Sequence, residues 1–79
     1  MNLDNLRGLI MNSQSEQILE YLQAGNVLTP LEALRKFNCL RLGARIYDLR
    51  QQGYVINSLM IKDDISGKRY ARYSLVSLN

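Results

Sequence analysis

Arg41 and Arg45 stand one helical turn apart with Tyr47 and Asp48 just beyond them, and Lys68, Arg69, Tyr70 and Arg72 form a second basic cluster later in the chain. Guanidinium groups at that spacing suit one kind of chemistry. An arginine donates two parallel hydrogen bonds to O6 and N7 of guanine, or clamps a phosphate with the same fork. Asp48 has two uses beside them: accepting from a cytosine amino group, or holding Arg45 or Arg41 in one rotamer. Phosphates repel an acid, so orienting a neighbour is the stronger use. Tyr47 stands on the shoulder of the same stretch, where its hydroxyl reaches a phosphate or its ring packs as half-buried filler. Ala44 and Asp48 turn away from the apolar side of this segment. The plain alternative for the whole group is a solvated helix surface, with Arg45 paired to Asp48 at i,i+3.

Other chemistries lack their residues. The chain has no histidine and a single cysteine, Cys39. The usual catalytic triads, a His/Cys metal site and an internal disulfide are therefore out of reach. The reading is a non-enzymatic protein with no cofactor, no metal and no small-molecule substrate. At 79 residues, 47% apolar and 22% charged, it is an ordinary globular chain with room for one domain. No run approaches the roughly 18 apolar residues of a membrane span, and the N-terminus lacks the pattern of a secretory leader. No membrane partner is expected, and the expected location is the cytoplasm.

Charge is distributed unevenly. Residues 1–34 carry Arg7 against Asp4, Glu16, Glu20 and Glu32, a net −3, whereas residues 35–79 carry nine basic residues against three acids, a net +6. A chain so divided presents one face to a polyanion if its fold aims the basic groups together.

The elements that would aim them can be read in order. Residues 1–12, with Leu3, Leu6, Leu9 and Ile10 near helical spacing but Gly8 among them, form an N-terminal arm or short helix. Residues 13–79 form the domain proper. Ser13 or Ser15 caps a first helix over 14–24, with Ile18, Leu19 and Leu22 as its apolar stripe and Gly25-Asn26 as its stop. Val27-Leu28 is a short extended link. Thr29-Pro30-Leu31-Glu32 is a capping box with proline at the first helical position. It opens a second, short helix with Leu31, Leu34 and Phe37 on one side, ending at Asn38 in a left-handed cap. A third helix follows over 40–52, closed by Gly53, with Cys39, Leu42, Ile46 and Leu49 as its core stripe. Arg50 lies at the edge of that stripe, where its stem packs and its head caps carbonyls. Gly43 allows close approach of another helix. Two helices joined by about three residues, the second bearing arginines outward, form the helix-turn-helix pattern.

After Gly53 the period changes from helical to alternating. Tyr54-Val55-Ile56 and Leu59-Met60-Ile61 are strand formers, Asp64 to Gly67 is a turn, and Lys68 to Val76 alternates. Ala71, Tyr73 and Leu75 share one face, and Tyr70, Arg72 and Ser74 the other. The fold class expected is mostly α with a small β-hairpin: a winged helix-turn-helix of three helices and a C-terminal wing. One core is expected to gather Leu22, Leu34, Phe37, Leu42, Ile46, Leu49 and Tyr73. Lys68, Arg69 and Arg72, with Lys62 opposite and Tyr70 beside Arg72, make the wing a backbone grip or a basic edge that discourages strand pairing. Asp63 and Asp64 beside the loop argue against deep insertion into a groove.

The segments TPLEAL, RLGARIYDLR and YARYSL, as they stand at residues 29–34, 41–50 and 70–75, carry a further resemblance. Together they resemble a family of small winged helix-turn-helix proteins found mainly in bacteriophages and prophages, over residues 14–76. Asn38 departs from the glycine more usual at that cap, and both residues tolerate it. The resemblance implies a double-stranded DNA-binding fold and phage gene regulation in a bacterial host cell. DNA-binding residues would then be Arg41, Ala44, Arg45, Tyr47 and Asp48 on the third helix, and Lys68, Arg69, Tyr70 and Arg72 on the wing. So small a domain covers one half-site, and the apolar arm is the surface from which a homodimer would be built. The competing function is a protein-interaction module, an antirepressor or inhibitor, using the same fold.

Overall fold

The computed structural model describes residues 13–76. The arm at 1–12, and with it the expected dimer surface, lies outside the described residues. Helix α1 spans Ser13–Gln23 and buries Ser15, Ile18, Leu19 and Leu22. It stops where Gly25 takes φ +92° and donates its N–H to the Leu22 carbonyl at 3.0 Å.

Helix α2 spans Pro30–Phe37 and opens as its sequence dictates. The Glu32 N–H donates to Thr29 Oγ1 at 3.2 Å, and the Thr29 N–H donates to Glu32 Oε1 at 3.2 Å. Two N–H groups that the first turn leaves unpaired are thereby satisfied. At the other end Asn38 adopts φ 53°, ψ 37°, and the Cys39 N–H reaches the Ala33 carbonyl at 3.1 Å.

The apolar stripe expected on this helix is corrected. Ala33 is its buried residue, Phe37 is half-buried, and Leu31 and Leu34 are 56% and 39% exposed. The cause is rotation. Residues three apart fall about 60° short of a full turn, so Leu31, Leu34 and Phe37 sweep around the helix instead of lining up. Ala33 and Phe37, four apart, share the inward face. Phe37 there meets the Tyr21 ring edge-on, with centroids 5.5 Å apart.

Helix α3 spans Leu42–Gln51, two residues shorter at its start than 40–52, with Arg41 as its N-cap. Cys39, Leu42, Ile46 and Leu49 are all buried, as their spacing requires. Gly43 contradicts its expected role: a Cβ there would meet nothing within 4 Å. The chain leaves α3 through Gly53 at φ +99°, and the Tyr54 N–H returns to the Leu49 carbonyl at 3.2 Å.

Strands β1 (Ile56–Lys62) and β2 (Arg69–Leu75) pair antiparallel, from Ile56 opposite Leu75 to Lys62 opposite Arg69. The alternation holds on β2 from Tyr70 to Tyr73, where Ala71 and Tyr73 are half-buried and Tyr70 and Arg72 exposed, and fades at Ser74, which is half-buried like Leu75. The link before α2 does more than connect. Leu28 donates to the Tyr73 carbonyl at 2.9 Å and accepts from the Tyr73 N–H at 2.8 Å. Its side chain is fully buried. This one-residue bridge stitches β2 to the junction of α1 and α2, so β2 lies between Leu28 and β1. The core thus runs from Ile18 and Leu22 through Leu28, Ala33, Ile46 and Leu49 to Ile56.

Candidate nucleic-acid interface

Helix α3 sets its buried stripe against α1 and α2, which leaves the rest of its circumference for side chains that meet something else. Arg41 lies just before the first turn, exposed, with φ −128° and ψ 67° and no capping bond from its side chain. Arg45 is one turn on and close to the shoulder of the core stripe. Its Nε donates to Asp48 Oδ2 at 3.0 Å, and its side chain is 25% exposed. The pair fixes the guanidinium in one rotamer and leaves the Nη nitrogens for other acceptors. Ala44 and Asp48 are half-buried beside these arginines, and Tyr47 is 61% exposed, so it is not the half-buried filler of one sequence reading. Leu40, in the turn before the helix, is more open still.

Arg50 is tied elsewhere. Its Nε and Nη2 both donate to the Ile56 carbonyl, at 3.2 and 2.6 Å. The capping role read from its position is therefore met on the first residue of β1, and this arginine joins helix to wing. Lys36 is similarly placed outside the basic set, its ammonium 5.6 Å from the centre of the Tyr21 ring.

The wing divides its charges between two faces. Strand alternation puts Lys62 and Arg69 on the face of Ala71 and Tyr73, and Tyr70 and Arg72 on the other with Leu59 and Ile61. Sequence reasoning named Lys68, Arg69, Tyr70 and Arg72 together as wing residues, with Tyr70 on the face of Arg72. The period-two signal that separates them was present in the same residues. Arg69, Lys68 and Tyr70 border a groove of about 670 Å³ whose far wall is the start of α2, Thr29 to Glu32.

The loop between the strands is organised by Asp63. Its carboxylate accepts from the Ile65 N–H at 3.0 Å and from Ser66 Oγ at 2.9 Å. These bonds, the Ile65 amide first and the Ser66 hydroxyl next, hold the Asp63 carboxyl below its ordinary pKa. Ser66 Oγ in turn accepts from the Lys68 N–H at 3.2 Å.

No group of three His, Cys, Asp or Glu side chains among the described residues could hold a metal ion, and Cys39 is buried. No described helix is long and apolar enough to cross a membrane. Arg41, exposed, and Arg45, half-buried and held by Asp48, on a short helix set behind a turn and beside a basic hairpin, are suited to a polyanion with regular grooves. Residues 13–78 match the model of a protein family described as winged helix-turn-helix domain. No curated protein and no solved structure matches the chain.

Proposed function

We propose, from the premise that this chain belongs to the winged helix-turn-helix domain family, that it binds double-stranded DNA with α3 in the major groove and the wing on the backbone. The observation that carries this reading is the Arg45–Asp48 pair on the helix that follows the turn. A guanidinium already held in one rotamer loses little freedom on meeting a guanine edge. Arg45 is therefore the base reader, with Asp48 as its positioning residue. Arg41, exposed at the N-cap, takes a phosphate, and Ala44 leaves room for the backbone of α3 to approach the bases. Tyr47 reaches a second phosphate. Lys68, Arg69, Tyr70 and Arg72 grip the backbone on the wing side.

The cellular role that fits is a bacteriophage or prophage transcriptional regulator, or a recombination accessory factor, acting in the bacterial cytoplasm by occupying a short site. A homodimer formed through residues 1–12 would supply the second half-site. Anisotropy titrations of the full chain on labelled duplexes at two salt concentrations test the reading. Each phosphate contact contributes a slope of about −0.9 in log K against log salt, so a slope near zero would refute it.

A protein-binding role is favoured by one observation, the exposure of Leu59 and Met60 on β1 and of Leu31 on α2. Leu59 and Met60 face opposite sides of the hairpin, so a contact made through either would bury apolar surface on one face only and respond weakly to salt.

A further inference from the structure

Ile65, at the tip of the wing, is 98% exposed, more than any other large apolar side chain among the described residues. The loop that holds it there is closely bonded. Besides the Asp63 carboxylate bonds, the Asp63 N–H donates to the Lys68 carbonyl at 2.8 Å, and the Gly67 N–H donates to the Asp63 carbonyl at 2.8 Å. Gly67 takes φ +74°, which lets the chain turn back into β2. A rigid loop thus presents a branched apolar side chain to water, where it gains nothing for the fold.

The surroundings of that side chain are basic. Lys62, Lys68 and Arg69 flank the loop, all exposed. Asp63 and Asp64 argued at first against insertion into a groove. The carboxylate of Asp63, however, is turned inward onto Ile65 and Ser66, leaving Asp64 as the acid of the loop that faces outward. An apolar point ringed by cations is suited to a surface that is anionic at its rim and apolar within. The minor groove of duplex DNA meets it in this way: phosphates stand on either side, and apolar base faces are uncovered where a step opens below the polar edges of its floor.

We propose that Ile65 is a wedge: on duplex DNA the wing tip enters the minor groove, and Ile65 inserts at a base step while Lys62, Lys68 and Arg69 hold the flanking phosphates. The proposal rests on the DNA-binding reading and goes beyond it, because it assigns the wing a part in bending DNA. Apolar side chains that enter a step in this way unstack it and bend the duplex by roughly 20–90°. Pyrimidine–purine steps give way most readily, so the wing selects for TA or CA steps without touching a hydrogen-bonding edge.

The probe is a set of end-labelled duplexes carrying 2-aminopurine at a TA step, read by 2-aminopurine fluorescence, end-to-end energy transfer and anisotropy. The parent chain should raise the 2-aminopurine signal and shorten the end-to-end distance. Ile65→Ser should remove both effects, while its affinity falls by no more than about ten-fold, because apolar burial is partly offset by the unstacking it requires. Ile65→Leu should restore both. Since the side chain is in water, far-UV circular dichroism should match across the three proteins. If Ile65→Ser binds and unstacks as the parent does, the wedge is refuted and DNA binding stands. If the parent itself shows no salt-dependent binding to any duplex, both readings fall together.

Discussion

Arg45 and Asp48 illustrate how one residue gains meaning from another. Alone, an arginine on a helix surface is unremarkable; held by Nε to a carboxylate at 3.0 Å, it is aimed. Arg45→Ala should cost about 1–3 kcal/mol on a selected duplex and relax preference at one base pair. Asp48→Asn keeps the shape and removes the charge, so it should lose discrimination with a smaller loss of affinity; competitive anisotropy against scrambled DNA reads both. Asp63 makes a prediction of another kind. Its pKa is depressed in the folded chain, so its contribution to the loop is complete above the ordinary carboxylate pKa of about 3.9. That contribution is lost as pH falls through the lowered value. The amide shifts of Ile65 and Ser66 should move together in an acid titration followed by NMR, and amides that stay still would contradict the bonding described.

The elements were legible to different degrees, for reasons that differ. Capping chemistry is local, so Thr29, Pro30, Glu32 and Asn38 announced α2 from sequence, and Thr29→Ala should cost about 1 kcal/mol in thermal melting. The face of α2 was misread because the two steps of three residues from Leu31 through Leu34 to Phe37 do not keep to one side of so short a helix. Ala33 was overlooked since a small side chain gives little sequence signal, although it allows α2 to pack close. The stripe of α3 was plain, and Leu49, fully buried, tests it: Leu49→Ala should lose about 2–5 kcal/mol in melting experiments. Of the candidate site, the residues could be named from sequence. The partner of Arg45 and the two faces of β2 were foreseen, whereas the seat of Lys62 opposite Arg69 needed the register.

At the scale of the molecule, the two basic elements should separate by their response to salt and sequence. Lys68→Ala and Arg69→Ala should weaken all duplexes about equally and reduce the salt slope by roughly one phosphate each, read by titration at two ionic strengths. Besides the Arg50 bonds to Ile56 and the shared core, a non-local contact, invisible to any local pattern, joins the helices and wing. Leu28 and Tyr73 exchange both their backbone hydrogen bonds across forty-five positions of sequence. Local openings that free the wing must therefore break into the junction of α1 and α2, and the amides of Leu28 and Tyr73 should be among the slowest to exchange with deuterium. A ligand that clamps the wing would slow them further. Occupancy at the rim of the domain would then be recorded by two amides that touch no ligand, and the wing would act as a lever whose fulcrum is a single leucine.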